Sequence, residues 1–577
     1  MGSIYEKYYK EIKDSDGNVI NIDLNYDPDF NFAYDVVDEW AKESPDKTAL
    51  VHRSAEGKRT VLTFGELSRL SNKAANALRE LGIGKGAPVM LLLKRRYEYW
   101  ILILAIHKLG AVAVPTSHMV SSEDIRERVE AASVKAVICV DSDDICERVS
   151  EALNGMSALK LVVGSRALCD EAAGATGKSS DPDEVSGSCD TAGGGIDICE
   201  CIMHASEVLE RVATKVTDDM LYYFTSGTNG APKAVIHDHS YPLAHIYTAK
   251  NWHGMNEDDL HLTVADSGWA KSAWGKLYGQ WFVGAAIFVY DYENFYASDM
   301  LKLLEEERVN TFCAPPTIYK YLLTEKLEDY DLSSVKYATT AGEPMPMEIA
   351  SRFTERTKIS IREGFGQTET ALQICTPVGC DSKEGSIGKP SPLYHVELVD
   401  ENGKPVANGE EGEIVIVPDA GCIPIGIFKG YLGLPELYDE VWKGGVYHTK
   451  DRAVRDDEGY YFFLGRNDDV IKSSGYRIGP SEVEDILMMH PAVFECAVTG
   501  YPSGNRGEIV KASIILKNGF EAGNGLKTEL QDFVKERAAI YKYPRRIEFV
   551  DDLPRSSSGK ISRAAIRKRD ILLQKNA

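Results

Sequence analysis

Leu221-Tyr222-Tyr223-Phe224-Thr225-Ser226-Gly227-Thr228-Asn229-Gly230-Ala231-Pro232-Lys233 is the stretch on which the fold turns. LYYF is a strand-like apolar run, and a short polar loop closed by proline and lysine follows it. Glycines let a backbone turn tightly and aim its amide groups at phosphate oxygens. Thr225, Ser226 and Thr228 add hydroxyl donors, and Lys233 adds a positive charge. The spacing is not the G-x-x-x-x-G-K-[ST] nucleotide loop, because Pro232 precedes the lysine and Ala234 follows it. An ordinary flexible loop would explain the glycines and threonines, but neither the strand before them nor the closing Pro-Lys. The run reads as a phosphate-binding loop at the end of a strand.

Outward from this loop, strand-like and helix-like segments alternate. Upstream, Thr63-Phe64-Gly65-Glu66 has the form of a helix capping box. Leu67, Leu70, Ala74, Ala77, Leu78 and Leu81 mark one apolar face behind it, and Gly82 ends the segment. A strand over Pro88–Leu93, a buried helix around Trp100–Ile106 and a strand over Ala136–Val140 come next. Downstream, Ala285–Tyr290, Thr311–Pro315 and Tyr337–Gly342 are further strand-like runs. Such alternation predicts an α/β protein of parallel sheets covered by helices. Residues 165–205 break the rhythm with a small, polar, glycine-rich run, read as a flexible surface insertion.

The chain has 577 residues, more than one hydrophobic core usually organises, so at least two domains are expected. The division falls at 1–464 and 465–577. The second part carries one helix candidate (Ser481–His490) and three β-rich runs, the size of a small α+β domain. Its polar start, Gly465-Arg466-Asn467-Asp468-Asp469, suits a hinge. A formal net charge of −23 argues against a nucleic-acid partner, which needs a basic footprint. The opening MGSIYEKYYKEIKD has no apolar stretch of a signal peptide, and WILILAI (Trp100–Ile106) is too short to span a bilayer. A cytoplasmic protein without a transmembrane segment is expected. The eleven scattered cysteines read as reduced thiols; Cys199-Glu200-Cys201 lacks a zinc spacing.

Further blocks follow the loop in order: Ala341-Gly342-Glu343-Pro344; Glu363-Gly364-Phe365-Gly366-Gln367-Thr368-Glu369; Tyr447-His448-Thr449-Lys450-Asp451-Arg452; Lys472-Ser473-Ser474-Gly475-Tyr476-Arg477; and Ser558-Gly559-Lys560. Together they resemble the adenylate-forming superfamily of acyl-CoA synthetases, peptide-synthetase adenylation domains and luciferases, from about residue 30 to residue 565. The resemblance implies a large N-terminal domain with a β-subdomain and a small mobile C-terminal domain pivoting at Asp468. It implies ATP, Mg²⁺ and coenzyme A, with a small carboxylic acid as the partner. Thr225 to Lys233 would hold phosphates, and Gly342, Glu343 and Pro344 would line the adenine side. Within the Glu363–Glu369 block, Glu363, Gly364, Gly366 and Gln367 would line the nucleotide, Phe365 would stack on adenine, Thr368 would touch the α-phosphate, and Glu369 would hold the metal. Asp451 would accept from the ribose hydroxyls, and Arg466 would reach ribose or phosphate. Lys472, Ser474, Gly475, Tyr476 and Arg477 would meet coenzyme A, and Lys560 would be the adenylation lysine. Lys560 is also, by the same analogy, a target for regulatory acetylation.

Three positions depart from the family pattern. Lys450 stands where glycine is usual, and Asn229 and Ala234 stand where threonine and glycine are common. A side chain at 450 would either crowd the nucleotide or point to solvent.

For the acid, Asp266-Ser267-Gly268-Trp269-Ala270-Lys271-Ser272-Ala273-Trp274 resembles a motif of medium-chain acyl-CoA synthetases, and His237 matches that subgroup. Acetyl-CoA synthetases place a tryptophan where this chain has Gly366, so a larger acid is expected, with His237, Trp269 and Gly366 at its pocket. The expectation is an AMP-forming acyl-CoA synthetase for a medium-chain or branched acid. Its alternatives are an acetyl- or aryl-CoA synthetase and a ligase that loads a carrier protein. A rival of another class is a nucleotide-binding scaffold, motivated by Lys450.

Overall fold

The computed structural model describes residues 3–164, 168, 194–226, 232–473, 476–503, 507–555 and 560–575. Two large sheets dominate. In the first, strands Pro88–Leu92, Val112–Pro115, Ala136–Val140, Leu159–Val163 and Asp219–Ser226 run parallel, with Ile196–Asp197 parallel at one edge. Pro232–Asp238 joins antiparallel to Asp219–Ser226, with Ser226 opposite Pro232. The two strands form a hairpin whose connecting residues lie outside the described residues. In the second sheet, Thr48–Arg53, Ala286–Tyr290, Leu260–Thr263, Thr311–Cys313, Tyr337–Ala341 and Ile361–Gly366 are parallel, with antiparallel strands at both edges.

Local sequence explains the elements that clothe these sheets. Thr63 accepts from the Glu66 amide at 3.2 Å while Glu66 accepts from the Thr63 amide at 2.8 Å, so both orphan donors at this helix start are met. The helix Phe64–Glu80 buries the face that its periodicity marks. The helix Glu98–Lys108 is buried on every side, as its unbroken apolar run requires.

The expectation for 165–205 needs correction at its far end. Residues 165–167 and 169–193 lie outside the described residues, but Leu168 is buried and 196–204 are regular structure. Asp197 caps the helix Ile198–His204 by accepting from the Cys199 and Glu200 amides at 2.9 and 3.2 Å. Ile198, Cys199 and Ile202 are buried, and the helix packs against Phe64–Glu80. The small-residue run before it masked a short amphipathic segment. Cys199 is a core thiol, and no cluster of three or more His, Cys, Asp or Glu side chains placed to hold a metal ion occurs among the described residues.

A four-stranded antiparallel sheet follows (His395–Val399, Glu411–Val417, Tyr447–Arg455, Tyr461–Arg466). Gly465 and Arg466 complete its last strand, and the chain then crosses at 467–470 to a separate sheet. That sheet contains Ile471–Ser473, Tyr476–Ile478, Val493–Ser503, Gly507–Leu516 and Arg546–Phe549. Helices Pro480–Met488, Asn524–Arg537 and Arg563–Lys575 pack with it around its own core of Ile471, Val483, Val498, Ile514 and Leu530.

Candidate active site

The strand Tyr337–Ala341 ends in Gly342, whose φ of +101° is a conformation that favours glycine. A Cβ built there would lie 3.7 Å from the Nζ of Lys560, so the C-terminal lysine reaches across to this loop. Lys560 sits at the junction of the two domains, exposed as a residue, with its ammonium enclosed by the groups around it. That enclosure lowers its pKa, while Glu343 and Asp451 oppose the shift and Arg466 adds to it. Met345, just past Pro344, donates its amide to Glu363 at 3.1 Å and so ties the loop to the next strand. Burial pushes the Glu363 carboxyl up to about 8.

Past that strand, the Glu369 carboxylate accepts from Lys233 at 3.0 Å and from the Tyr431 hydroxyl at 2.8 Å, both at Oε1. Burial alone would raise its pKa, but Lys233 and Tyr431 outweigh it and keep the group below the ordinary carboxylate range. An ionised carboxylate with a second oxygen beyond that pair is a fitting donor for a hard divalent cation. Thr225, at the base of the hairpin, has a buried hydroxyl with no partner among the described residues. Gly227, Thr228, Asn229 and Gly230 lie outside the described residues.

His237, expected at the acid pocket, is 1% exposed, lies 3.9 Å from the Tyr241 ring and bonds the Thr368 carbonyl at 2.7 Å. Burial lowers its pKa to about 4, so it is neutral and supports the turn carrying Thr368 and Glu369.

Asp451 is 5% exposed, and burial raises it to about 7 against the pull of Arg466 and Gln367. The Gln367 amide donates to the Asp451 carboxylate and to the Thr449 carbonyl, and accepts from the Tyr447 hydroxyl at 2.7 Å. Gln367 thus fixes the carboxylate rather than standing free in the cleft. Arg466 Nε is 4.0 Å from Asp451. Lys450 adopts φ +63°, which accounts for glycine being usual there. Its ammonium turns outward to Glu440 at 2.8 Å and does not crowd the site.

Around the expected acid pocket, Gly364 allows the Trp252 indole to approach where a Cβ would be 2.6 Å from the ring. Gly366 is exposed, and Phe365 faces Phe463 at 5.8 Å between ring centroids. The indole nitrogen of Trp269 is buried and unpartnered among the described residues. Lys271, which carries no expected role, donates to the Ala341 carbonyl at 3.2 Å and interacts electrostatically with Lys560. Its place in the tryptophan-rich motif was the one available signal.

In the C-terminal domain Asp468 is exposed in the crossing turn, whereas Asp469 is fixed by Arg567 at 2.6 Å. Lys472 is exposed and donates its amide to Glu508 at 2.9 Å, and Tyr476 stacks on Tyr541 at 4.1 Å. Backbone pairing sets Arg477 opposite Lys472; Ser474 and Gly475 lie outside the described residues.

A family model described as "AMP-binding enzyme" matches residues 37–432, and one described as "AMP-binding enzyme C-terminal domain" matches 482–560. Acyl-coenzyme A synthetase ACSM3, mitochondrial, of Rattus norvegicus is 35% identical over 556 residues, covering 94% of this chain and 90% of that protein. Acyl-coenzyme A synthetase ACSM5, mitochondrial, of Homo sapiens is 36% identical over 550 residues, covering 94% and 90%. The crystal structure of the anthranilate CoA ligase AuaEII with anthranoyl-AMP superposes with a TM-score of 0.83 at 28% identity, covering 95% of this chain and 99% of that one. The relatives' descriptions name mitochondria where the sequence led to the cytoplasm; no described helix is long and apolar enough to cross a membrane.

Proposed function

Because the chain belongs to the AMP-binding enzyme family, and to its acyl-CoA synthetases, we propose that it activates a medium-chain or branched carboxylic acid with ATP and passes the acyl group to coenzyme A. The observation that carries this reading is the meeting of Lys560 with Gly342, beside Glu343 and Asp451.

A carboxylate is a poor acyl donor because oxide would be its leaving group. Its oxygen attacks the α-phosphorus of ATP, a new P–O bond forms, and pyrophosphate departs. No general base is needed, since the acid is ionised near neutral pH. Both reactants are anions, so the protein's work is positioning and charge neutralisation. Lys560 and Lys233 supply positive charge, Asp451 accepts from the ribose, and Thr225 and Thr368 offer hydroxyls to phosphate. Glu369 would hold Mg²⁺, which when bound supplies charge for the outer phosphates. In the second step the thiol of coenzyme A, giving up its proton to solvent, attacks the acyl carbon; a C–S bond forms, the C–O bond breaks, and AMP leaves with its electrons. For that step Lys560 must give way, and rotation about Asp468 would bring in the 472–477 segment.

An aryl acid is the second reading, favoured by likeness to the anthranilate ligase. The deciding experiment measures AMP and acyl-CoA formation across acids from acetate to decanoate, with 2-methylbutyrate and benzoate. A maximum at medium or branched acids supports the proposal, one at benzoate the aryl reading, and one at acetate overturns the pocket assignment. Exchange without thioester would point to a carrier protein as acceptor. Acetylation of Lys560 enters as a means of control, and normal adenylation by Lys560→Gln would remove it. The cytoplasm enters on the polar opening segment alone, with fractionation deciding between it and mitochondria.

A further inference from the structure

Besides Lys560, a second side chain joins the two domains. Lys320, on the helix Pro316–Leu322 of the N-terminal domain, holds its ammonium 3.4 Å from the centroid of Phe494 in the C-terminal strand Val493–Ser503. An ammonium over an aromatic face is attracted by the ring quadrupole, and more strongly when water is excluded. Lys320 is half-buried, and that burial moves its pKa down to about 8.

The contact leads on to the lysine loop through a short chain of bonds. Glu495, next to Phe494, accepts from Arg555 at 2.6 Å. Arg555 pairs with Ile561 in an isolated antiparallel bridge, and Ser562 donates its amide to the Pro554 carbonyl at 2.7 Å. Those two links join the chain on either side of Lys560. Beneath it, Leu553 and Ile566 are buried with Ala497 of the same strand. The strand fixed by Lys320 is thus the one on which the residues flanking Lys560 rest.

We propose that Lys320 is a positioning residue for adenylation: its seat on Phe494 docks the C-terminal domain so that the Glu495–Arg555 pair and the Arg555–Ile561 bridge hold the Lys560 ammonium at Gly342. This rests on the acyl-CoA synthetase reading. The contact belongs to the docked arrangement, so its loss slows adenylation and leaves thioester formation from preformed acyl-adenylate intact. A residue needed only for folding would impair both.

The test compares Lys320→Ala, Lys320→Arg and Phe494→Leu in the full-length enzyme. Acyl-dependent ATP/pyrophosphate exchange should fall by about 10-fold in the alanine and leucine variants, within the range of a desolvated cation–π contact, and recover in the arginine variant. The KM values for ATP and acid should change little, and single-turnover transfer from preformed acyl-adenylate to coenzyme A should be unchanged or faster. Equal loss in both half-reactions, or exchange at the wild-type rate, overturns the proposal. Spin labels placed one on each domain give a readout independent of catalysis. The interdomain distance should broaden in Lys320→Ala, and an unchanged distribution overturns the proposal even if activity falls. Absence of exchange in the wild-type protein with every acid would instead remove the reading of function, and the labels would still decide the contact.

Discussion

Lys233 and Glu369, separated by 136 residues, meet at 3.0 Å, and the hydroxyl of Tyr431 closes on the same carboxylate oxygen. The end of the phosphate hairpin and the end of the Glu363–Glu369 block are thereby one unit. The pair is partly enclosed, so removing one member leaves the other without its compensating charge.

Glu369→Gln should therefore lose adenylation by about 100-fold or more, the scale seen when one preorganised electrostatic group is removed. The Mg²⁺ concentration for half-maximal exchange should also rise. A glutamine variant with wild-type Mg²⁺ dependence would exclude Glu369 as the metal ligand.

Asp451 gives a pH dependence with a definite sign. Burial raises its carboxyl to about 7, and only the ionised form accepts from both ribose hydroxyls. A folded pKa above the unfolded value means that the free protein loses stability as pH rises from the ordinary carboxylate range to about 7. Nucleotide affinity moves the other way. An acyl-sulfamoyl adenosine, whose own charge is constant in this range, should bind about 10-fold tighter at about pH 8 than at about pH 6. Calorimetric titration checks this; Asp451→Asn should flatten the profile, and Arg466→Ala should move its midpoint upward.

Lys450 tests a departure from the family pattern. Its φ of +63° costs a non-glycine residue roughly 1 kcal/mol, while its exposed pair with Glu440 returns about 0–1 kcal/mol. Lys450→Gly removes the strain but adds freedom to the unfolded chain, so stability should change by less than about 1 kcal/mol. Exchange activity should stay within about twofold, because the side chain points away from Asp451. Lys450→Val, β-branched at a positive φ, should lose about 1–2 kcal/mol. Denaturant unfolding of the two variants separates backbone strain from any effect on the nucleotide.

How far the sequence could be read follows from the range of each interaction. The capping box at Thr63, the buried helix around Trp100 and the strand Ala136–Val140 are set by neighbours within a few residues, and their patterns are visible in the chain. The helix Ile198–His204 was hidden because the glycine-rich run before it suppresses any apolar period. Partners distant in sequence were not legible. Gln367 stood in a motif, but nothing local says that it is spent on Asp451 and Tyr447. His237 matched a subgroup, yet its bond to the Thr368 carbonyl depends on pairing across 131 residues. The outward turn of Lys450 likewise required Glu440 to be in place.

Gly366 bears on the size of the acid. The residue is exposed, and a Cβ there would meet the Ala371 carbonyl oxygen at 2.8 Å, so any side chain forces a small backbone shift. Gly366→Ala should consequently lower stability by about 1–3 kcal/mol without selecting among acids. Gly366→Trp adds an indole at the position where acetyl-CoA synthetases carry one. Because both variants bear the same backbone cost, the ratio of kcat/KM values for hexanoate and acetate is the proper readout. That ratio should fall by about 100-fold in the tryptophan variant relative to the alanine variant, as expected when a bulky group replaces several methylenes of pocket depth. The KM for ATP should be similar in the two. If the ratio is the same in both, the acid lies elsewhere, and the neighbourhood of Trp269 and Lys271 becomes the place to look for its tail.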